Sequence, residues 1–267
     1  MVRAVPAPLR IATIAFVLAT GLFLLAPLIV VIGVSISESQ FMAFPPNGVS
    51  LRWYREVLAS DAYLDAAWIS LRVALLVTLS TSLIGGAAAI AIHRRRLPFS
   101  GTIEMLFLSP LVLPTIIYAI GMLMLWSATF GPVSIPTLWI GHTVITLPYV
   151  TRTTLAVLAE ADRHLEEAAA TMGAGRLQRL WFVVVPQCLP GLAAGAFFAF
   201  NISFDEAVLS LFLRQPGLTT LPVQIYGQLE FSPDPSVAAV STIMIALTIA
   251  LVVVIDRAIG VRRVAGS

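Results

Sequence analysis

The sequence predicts an all-α integral membrane protein with six transmembrane helices, and three observations carry that expectation. The 267-residue chain is 58% apolar and only 11% charged, with a mean hydropathy of +0.94, whereas soluble domains carry charge on roughly a quarter of their residues. Its apolar residues gather in long charge-free runs, and a helix needs about 20 such residues to cross a bilayer. The arginines between those runs fall mostly on alternate connections, the asymmetry of positive-inside topology.

Taken in order, Ile11 to Ile36 holds 26 residues without a charge. That run is too long for a signal-peptide core and no small-residue cleavage site follows, so it reads as an uncleaved first helix over 11–36. The next connection, Ser37 to Ala67, is too long for a simple turn. It carries Phe41-Met42-Ala43-Phe44-Pro45-Pro46 and then an amphipathic piece, Leu51 to Trp68, bearing Trp53, Tyr54 and Trp68. A second helix is predicted over 68–92, with Ser80-Thr81-Ser82 and Gly85-Gly86 as a small-residue packing face. Met105 to Thr151 gives 47 residues without a formal charge, enough for helices over 105–130 and 134–158 with Gly131-Pro132 between them. Pro110 and Pro114 predict a kink in the first of these. A fifth helix is predicted over 187–209 and a sixth over 237–259. The connection between them contains Pro216-Gly217, Leu221-Pro222 and Pro233-Asp234-Pro235. The whole of 1–267 reads as one membrane domain.

With the N terminus inside, Arg3, Arg10, Arg94, Arg95, Arg96, Arg152, Arg163, Arg176, Arg179, Arg257, Arg262 and Arg263 face the cytoplasm. Only Arg52, Arg55, Arg72 and Arg214 face the other side. Both termini and the polar segment 160–186 are therefore expected in the cytoplasm. His93-Arg94-Arg95-Arg96 reads as a topology anchor, not as a nucleic-acid contact. All sixteen basic residues are arginine, so the chain lacks the lysine of a phosphate-binding P-loop and of Schiff-base chemistry. Cys188 is the only cysteine, which excludes an intrachain disulfide and argues against a thiolate metal cluster. His93, His142 and His164 are scattered, and Glu160, Asp162, Glu166 and Glu167 have no metal-ligand spacing. No metal and no catalytic constellation are expected.

The segment 160–186 is the one polar interruption, and its chemistry predicts two short helices. Asp162 caps the first, along which Leu165, Ala169 and Met172 recur at helical spacing. Gly173 ends it in the left-handed conformation and Gly175 loosens the turn. The second starts at Arg176, places Leu177, Leu180, Trp181 and Val184 on one face, and is expected to stop at Pro186. Such a segment in a bilayer protein implies that something soluble docks against it.

The segment also resembles the EAA signature of permease subunits of bacterial ATP-binding-cassette importers: E-A-A, three residues, G, nine residues, then aliphatic, any residue, aliphatic, P. Glu167, Ala168, Ala169, Gly173, Val183, Val185 and Pro186 fill it. Ser50-Leu51-Arg52-Trp53-Tyr54, Pro110-Leu111-Val112-Leu113-Pro114, His142-Thr143 with Leu147-Pro148-Tyr149-Val150, and Ser203-Phe204-Asp205-Glu206 followed by Thr220-Leu221-Pro222-Val223 extend the likeness. They resemble the spermidine/putrescine-type permeases, in particular the C-type subunit of a heterodimeric pair, over roughly 11–260.

That resemblance implies the type I importer (MetI-like) permease fold in a bacterial inner membrane, as a non-catalytic subunit. Its implied partners are an ATP-binding-cassette ATPase dimer, a second and non-identical permease, an extracytoplasmic substrate-binding protein and membrane lipid, with no nucleic acid. ATP and magnesium would be bound by the ATPase and no cofactor by this chain. Glu166, Glu167, Ala168, Ala169, Met172, Gly173 and Pro186 are the implied coupling residues, Glu167 meeting a basic residue of the ATPase. In isolation Glu167 reads only as a helix-start carboxylate.

Asp205 and Glu206 are expected near the outer end of the fifth helix, and two readings stay open for them. They contact a cationic substrate on its path, with Ser203 and with Trp53 as an aromatic able to meet an ammonium group, or they are interfacial polarity. The expected solute is a polyamine such as spermidine or putrescine. Two other classes compete: an ion-coupled secondary transporter of a small organic cation using Asp205, Glu206 or His142, and a membrane-embedded enzyme. The first lacks an inverted repeat and has few spans; the second lacks a nucleophile–base set.

Overall fold

A computed structural model of the chain describes residues 7–94 and 99–259. Arg3, Arg95, Arg96, Arg262 and Arg263, used above for topology, lie outside the described residues. The described residues are mostly helical, with one isolated bridge between Gln215 and Leu218 and no strand among them. They divide into two compact units, Met1–Asp61 with Gly227–Leu247, and Ala62–Tyr226 with Thr248–Ser267.

The first unit holds α1 (Ala7–Ser35) and α2 (Arg52–Ala59). Hydrogen bonds fold α2 back onto the end of α1: Ser35 Oγ meets Tyr54 Oη at 2.7 Å, and Trp53 Nε1 donates to the Ser37 carbonyl at 3.0 Å. Phe44 closes over Gly33, where a Cβ would stand 2.9 Å from its ring. The amphipathic piece expected over Leu51 to Trp68 is thus two elements, since the chain breaks at Ser60 and Asp61 starts the next helix.

The second unit is built on α3 (Asp61–His93), α5 (Thr115–Thr129), α6 (Ile135–Glu160) and α9 (Val185–Asp205). Apolar burial arranges them. Val73 and Val77 of α3 share a cluster with Leu138 near the start of α6, and with Leu209 and Leu213. Ala89, late in α3, clusters with Leu158, late in α6, and with Cys188, early in α9. Hence α3 and α6 run parallel and α9 runs antiparallel to both. The end of α3, the end of α6 and the start of α9 therefore lie at one end of the unit, together with Arg94, Arg176 and Arg179. α3 is 33 residues long, about 50 Å at 1.5 Å per residue, so its ends extend beyond a hydrocarbon core of about 30 Å.

Close packing of α9 on α6 comes from glycine. A Cβ at Gly191 would stand 2.7 Å from the Thr153 carbonyl oxygen, and one at Gly195 would stand 2.7 Å from Val150 Cα. Gly191 and Gly195 are four apart, so they lie on one face of α9 and let two backbones touch. The small-residue face expected on α3 also packs tightly, with Gly85 against Val150 and Thr151 and Gly86 against Leu192.

Two expectations need correction. The helix predicted over 105–130 is not one kinked helix. α4 (Ser100–Leu108) passes through a 3-10 turn, Ser109–Val112, and α5 leaves at 103° to it. Pro110 and Pro114 each withhold an N–H within five residues, and the helix gives way between them.

Pro186, second, does not stop the helix before it. α8 (Arg176–Arg179) continues through a π-helical turn, Leu180–Val184, into α9, so the span starts at Arg176, not at Gln187, and ends at Asp205. The wider turn gives the Val185 N–H the Leu180 carbonyl, five residues back. Pro186 follows directly on this wider turn, inside the continuous helix, while Gln187 Nε2 donates to the Val183 carbonyl at 3.0 Å.

Among the described residues four helices are long and apolar enough to cross a membrane, or five if α4 and α5 count as one broken span. α6 is not among them. Its 26 residues cover about 39 Å, but Thr137, His142, Thr146, Thr151 and Thr154 make it polar. All five are fully buried: α6 turns this polar face inward against its neighbours while Ile140 and Ala156 stay exposed, and Thr146 and Thr151 bond back to the carbonyls four residues earlier. A helix sheltered by its neighbours does not need lipid-grade hydropathy.

Candidate functional site

Beyond α6, the polar segment forms α7 (Arg163–Thr171). Asp162 caps it, its Oδ1 accepting from the His164 N–H at 2.9 Å. Its far end is a Schellman closure: the Ala174 N–H reaches the Ala169 carbonyl at 3.0 Å and the Gly173 N–H the Ala170 carbonyl at 3.1 Å. Gly173 stands at φ +86°, which an L side chain adopts only at a cost. Gly175 begins α8, and the Gln178 side chain accepts from its N–H at 2.8 Å.

The two adjacent glutamates of α7 point differently. Glu166 turns inward, its Oε1 2.7 Å from Arg94 Nη2 and 4.0 Å from Arg179 Nη1. Glu167 is 74% exposed, its Oε2 3.5 Å from His164 Nδ1. Ala168 is exposed and Ala169 half-buried. Leu165 and Met172, on one face of α7, are 53% and 87% exposed. Leu177, Trp181 and Phe182 of the next segment are exposed as well. Leu165 and Met172 are thus apolar side chains left bare along an otherwise polar helix, whereas Leu177, Trp181 and Phe182 belong to the apolar span that starts at Arg176. A cleft of about 420 Å³ lies behind α7, bordered by Arg94, Leu158, Glu166, Arg179 and Val184. A shallower one, about 510 Å³, lies between Ala169, Gly173 and Phe182; Pro186 borders neither.

The other candidates are dispersed. Trp53 belongs to the first unit. It is 6% exposed, and the Arg52 guanidinium lies 4.3 Å over its ring. Ser203, Asp205 and Glu206 belong to the second. Ser203 is buried, its Oγ 3.0 Å from His142 Nδ1, while His142 Nε2 meets Ser210 Oγ at 3.1 Å. His142 thus sits hydrogen-bonded between helices. Glu206 Oε1 accepts from the Leu209 N–H at 3.0 Å, steadying the start of α10 (Val208–Phe212). Asp205 is exposed at the end of α9. Among the described residues no three His, Cys, Asp or Glu side chains gather to hold a metal ion.

Sequence reasoning missed two features here. Arg94 and Arg179 read as topology charges, and no linear spacing joins them to Glu166. The Gly191–Gly195 pair was legible as small residues four apart in an apolar helix.

Comparison with known proteins agrees with this geometry. Residues 82–264 match the family described as "Binding-protein-dependent transport system inner membrane component". The chain is 31% identical over 242 residues to the spermidine/putrescine transport system permease protein PotC of Escherichia coli K12, covering 89% of this chain and 90% of that protein. It is 30% identical over 230 residues to the putrescine transport system permease protein PotI of the same organism, covering 84% and 82%. A solved chain of a bacterial alginate ABC transporter, in complex with an alginate pentasaccharide-bound periplasmic protein, superposes with a TM-score of 0.72 at 15% identity, covering 97% of this chain and 95% of that one. With the EAA-type segment at the shared end of α3, α6 and α9, the chain belongs to the binding-protein-dependent transport system inner membrane components, as a multi-pass, non-catalytic permease subunit of the type I ABC importer fold.

Proposed function

We propose that this subunit forms half of the translocation pathway of an ATP-driven importer for a polyamine such as spermidine or putrescine. The observation that carries the coupling half of this reading is the bare apolar face of α7, Leu165 and Met172 beside an exposed Glu167. An ATPase dimer binding ATP and magnesium docks there, with Glu167 meeting one of its basic residues. Closure of the ATPases around ATP favours one permease conformation over the other, the differential interaction that a population shift requires. That docking end is cytoplasmic, as are both termini, and a substrate-binding protein delivers the solute from the other side. The two relatives named above support the polyamine. The C-type likeness supports a non-identical second permease.

Asp205, exposed at the end of α9, offers a carboxylate to a cation arriving on the far side. Glu206 and Ser203, close to Asp205 in the chain, each already have an internal partner. The test is reconstitution of the complete complex in proteoliposomes with labelled putrescine and spermidine. Uptake should require ATP and the binding protein and survive dissipation of ion gradients. Uptake driven by an ion gradient without ATP would establish the secondary-carrier class instead.

A further inference from the structure

Three elements meet at one carboxylate. Arg94 follows the last turn of α3, Glu166 sits in α7, and Arg179 closes α8 at the head of the continuous helix that becomes α9. We propose that Arg94, Glu166 and Arg179 form an ionic strut that carries displacement of α7 into α3 and α9, a role that rests on the importer reading above.

The physical need for a strut comes from what surrounds α7. Its link to α8 runs through Gly173-Ala174-Gly175, and no atom stands within 4 Å of a Cβ placed on Gly173. Its link to α6 is the extended pair Ala161-Asp162. Each link is a short non-helical connection, so neither continues α7 directly into a span. Behind α7 the space is the 420 Å³ cleft, not packed side chains, so apolar contact does not wedge the helix against α3. The Arg94–Glu166 pair spans that gap with side chains only 14% and 25% exposed, where solvent screens less than at an open surface. The buried Nε atoms of both arginines have no hydrogen-bond partner among the described residues. Without the carboxylate, two guanidinium groups would face each other across the cleft. The neighbouring glutamates thereby divide the work, Glu167 facing outward and Glu166 tying the helix to the spans.

The test uses the complete complex in proteoliposomes, with Arg94→Gln, Glu166→Gln and Arg94→Lys, reading ATPase retention through purification, ATP hydrolysis and uptake per ATP. Both Gln variants should retain the ATPase as the parent does and continue to hydrolyse ATP, while uptake per ATP falls at least about fivefold. Arg94→Lys, which keeps the charge, should restore most of it. Parental uptake per ATP in both Gln variants would overturn the strut. Loss of the ATPase from Glu166→Gln would do so too, making the acid a docking contact, and so would an Arg94→Lys as defective as Arg94→Gln. A parental complex that neither retains an ATPase nor needs ATP would instead remove the importer reading on which the strut stands.

Discussion

Placing alanine at both Gly191 and Gly195 should force α9 away from α6. Each new Cβ meets backbone: 2.7 Å to the Thr153 carbonyl oxygen at position 191 and 2.7 Å to Val150 Cα at position 195. Ordinary contact begins at 3.4 Å, so 3.4 − 2.7 leaves α9 about 0.7 Å too close. A side-chain tip can rotate out of such a contact, but helix backbone cannot. Overpacking of this kind costs about 1–3 kcal/mol. One shift of α9 relieves both clashes, so the two sites should not add. Alanine also favours a helix over glycine by about 0.8–1.0 kcal/mol, and the control must carry the same gain. Gly21→Ala with Gly121→Ala supplies it, since neither position has an atom within 4 Å of the new Cβ. Unfolding in mixed micelles, followed by tryptophan fluorescence, should place the 191/195 variant about 1–3 kcal/mol below the 21/121 variant. Equal midpoints for the two would refute the claim that these glycines set the helix separation.

Gly173→Pro should insert into the membrane at the parental level yet transport poorly. Proline holds φ near about −65° where the chain stands at +86°, and it deletes the N–H that closes α7 on Ala170. Normal uptake by this variant would show that the turn does not set the docking geometry. Asp205→Asn with Glu206→Gln removes both charges while keeping a side-chain oxygen for the Leu209 N–H. Uptake of putrescine should then need more substrate for half-saturation, with ATPase retention unchanged; kinetics matching the parent would leave the acids as interfacial polarity.

The sequence disclosed most where local chemistry governs. Asp162 as a cap and Gly173 as a left-handed terminator are properties of single residues, and both stand as expected. Proline was less legible because its effect depends on what the preceding turn can do. At Pro110 and Pro114 the helix gave way to a 103° break, whereas before Pro186 a π turn absorbed the missing N–H. α6 was found by its charge-free length, but its burial among other helices was not, because threonines that bond back to their own helix look merely polar in a sequence. The Arg94–Glu166 contact joins residues 72 positions apart, and no periodicity reports a pairing of that kind.

The π turn matters beyond its local bookkeeping of hydrogen bonds. Had Pro186 ended the helix, α8 would be a separate piece hinged to α9, and movement at α7 would cross two flexible joints before reaching a span. Instead the helix is continuous from Arg176 to Asp205, about 45 Å at helical rise. The joint nearest α7 is then the glycine pair at 173 and 175, and Arg179 sits one turn beyond it, where Glu166 lies 4.0 Å away. A rigid lever needs its brace close to the hinge, because a brace placed farther along would let the first turn swing before it engaged. Arg179 therefore stands at the foot of a helix that runs unbroken through the π turn, one turn from the glycine pair, which is where the proposed strut needs it.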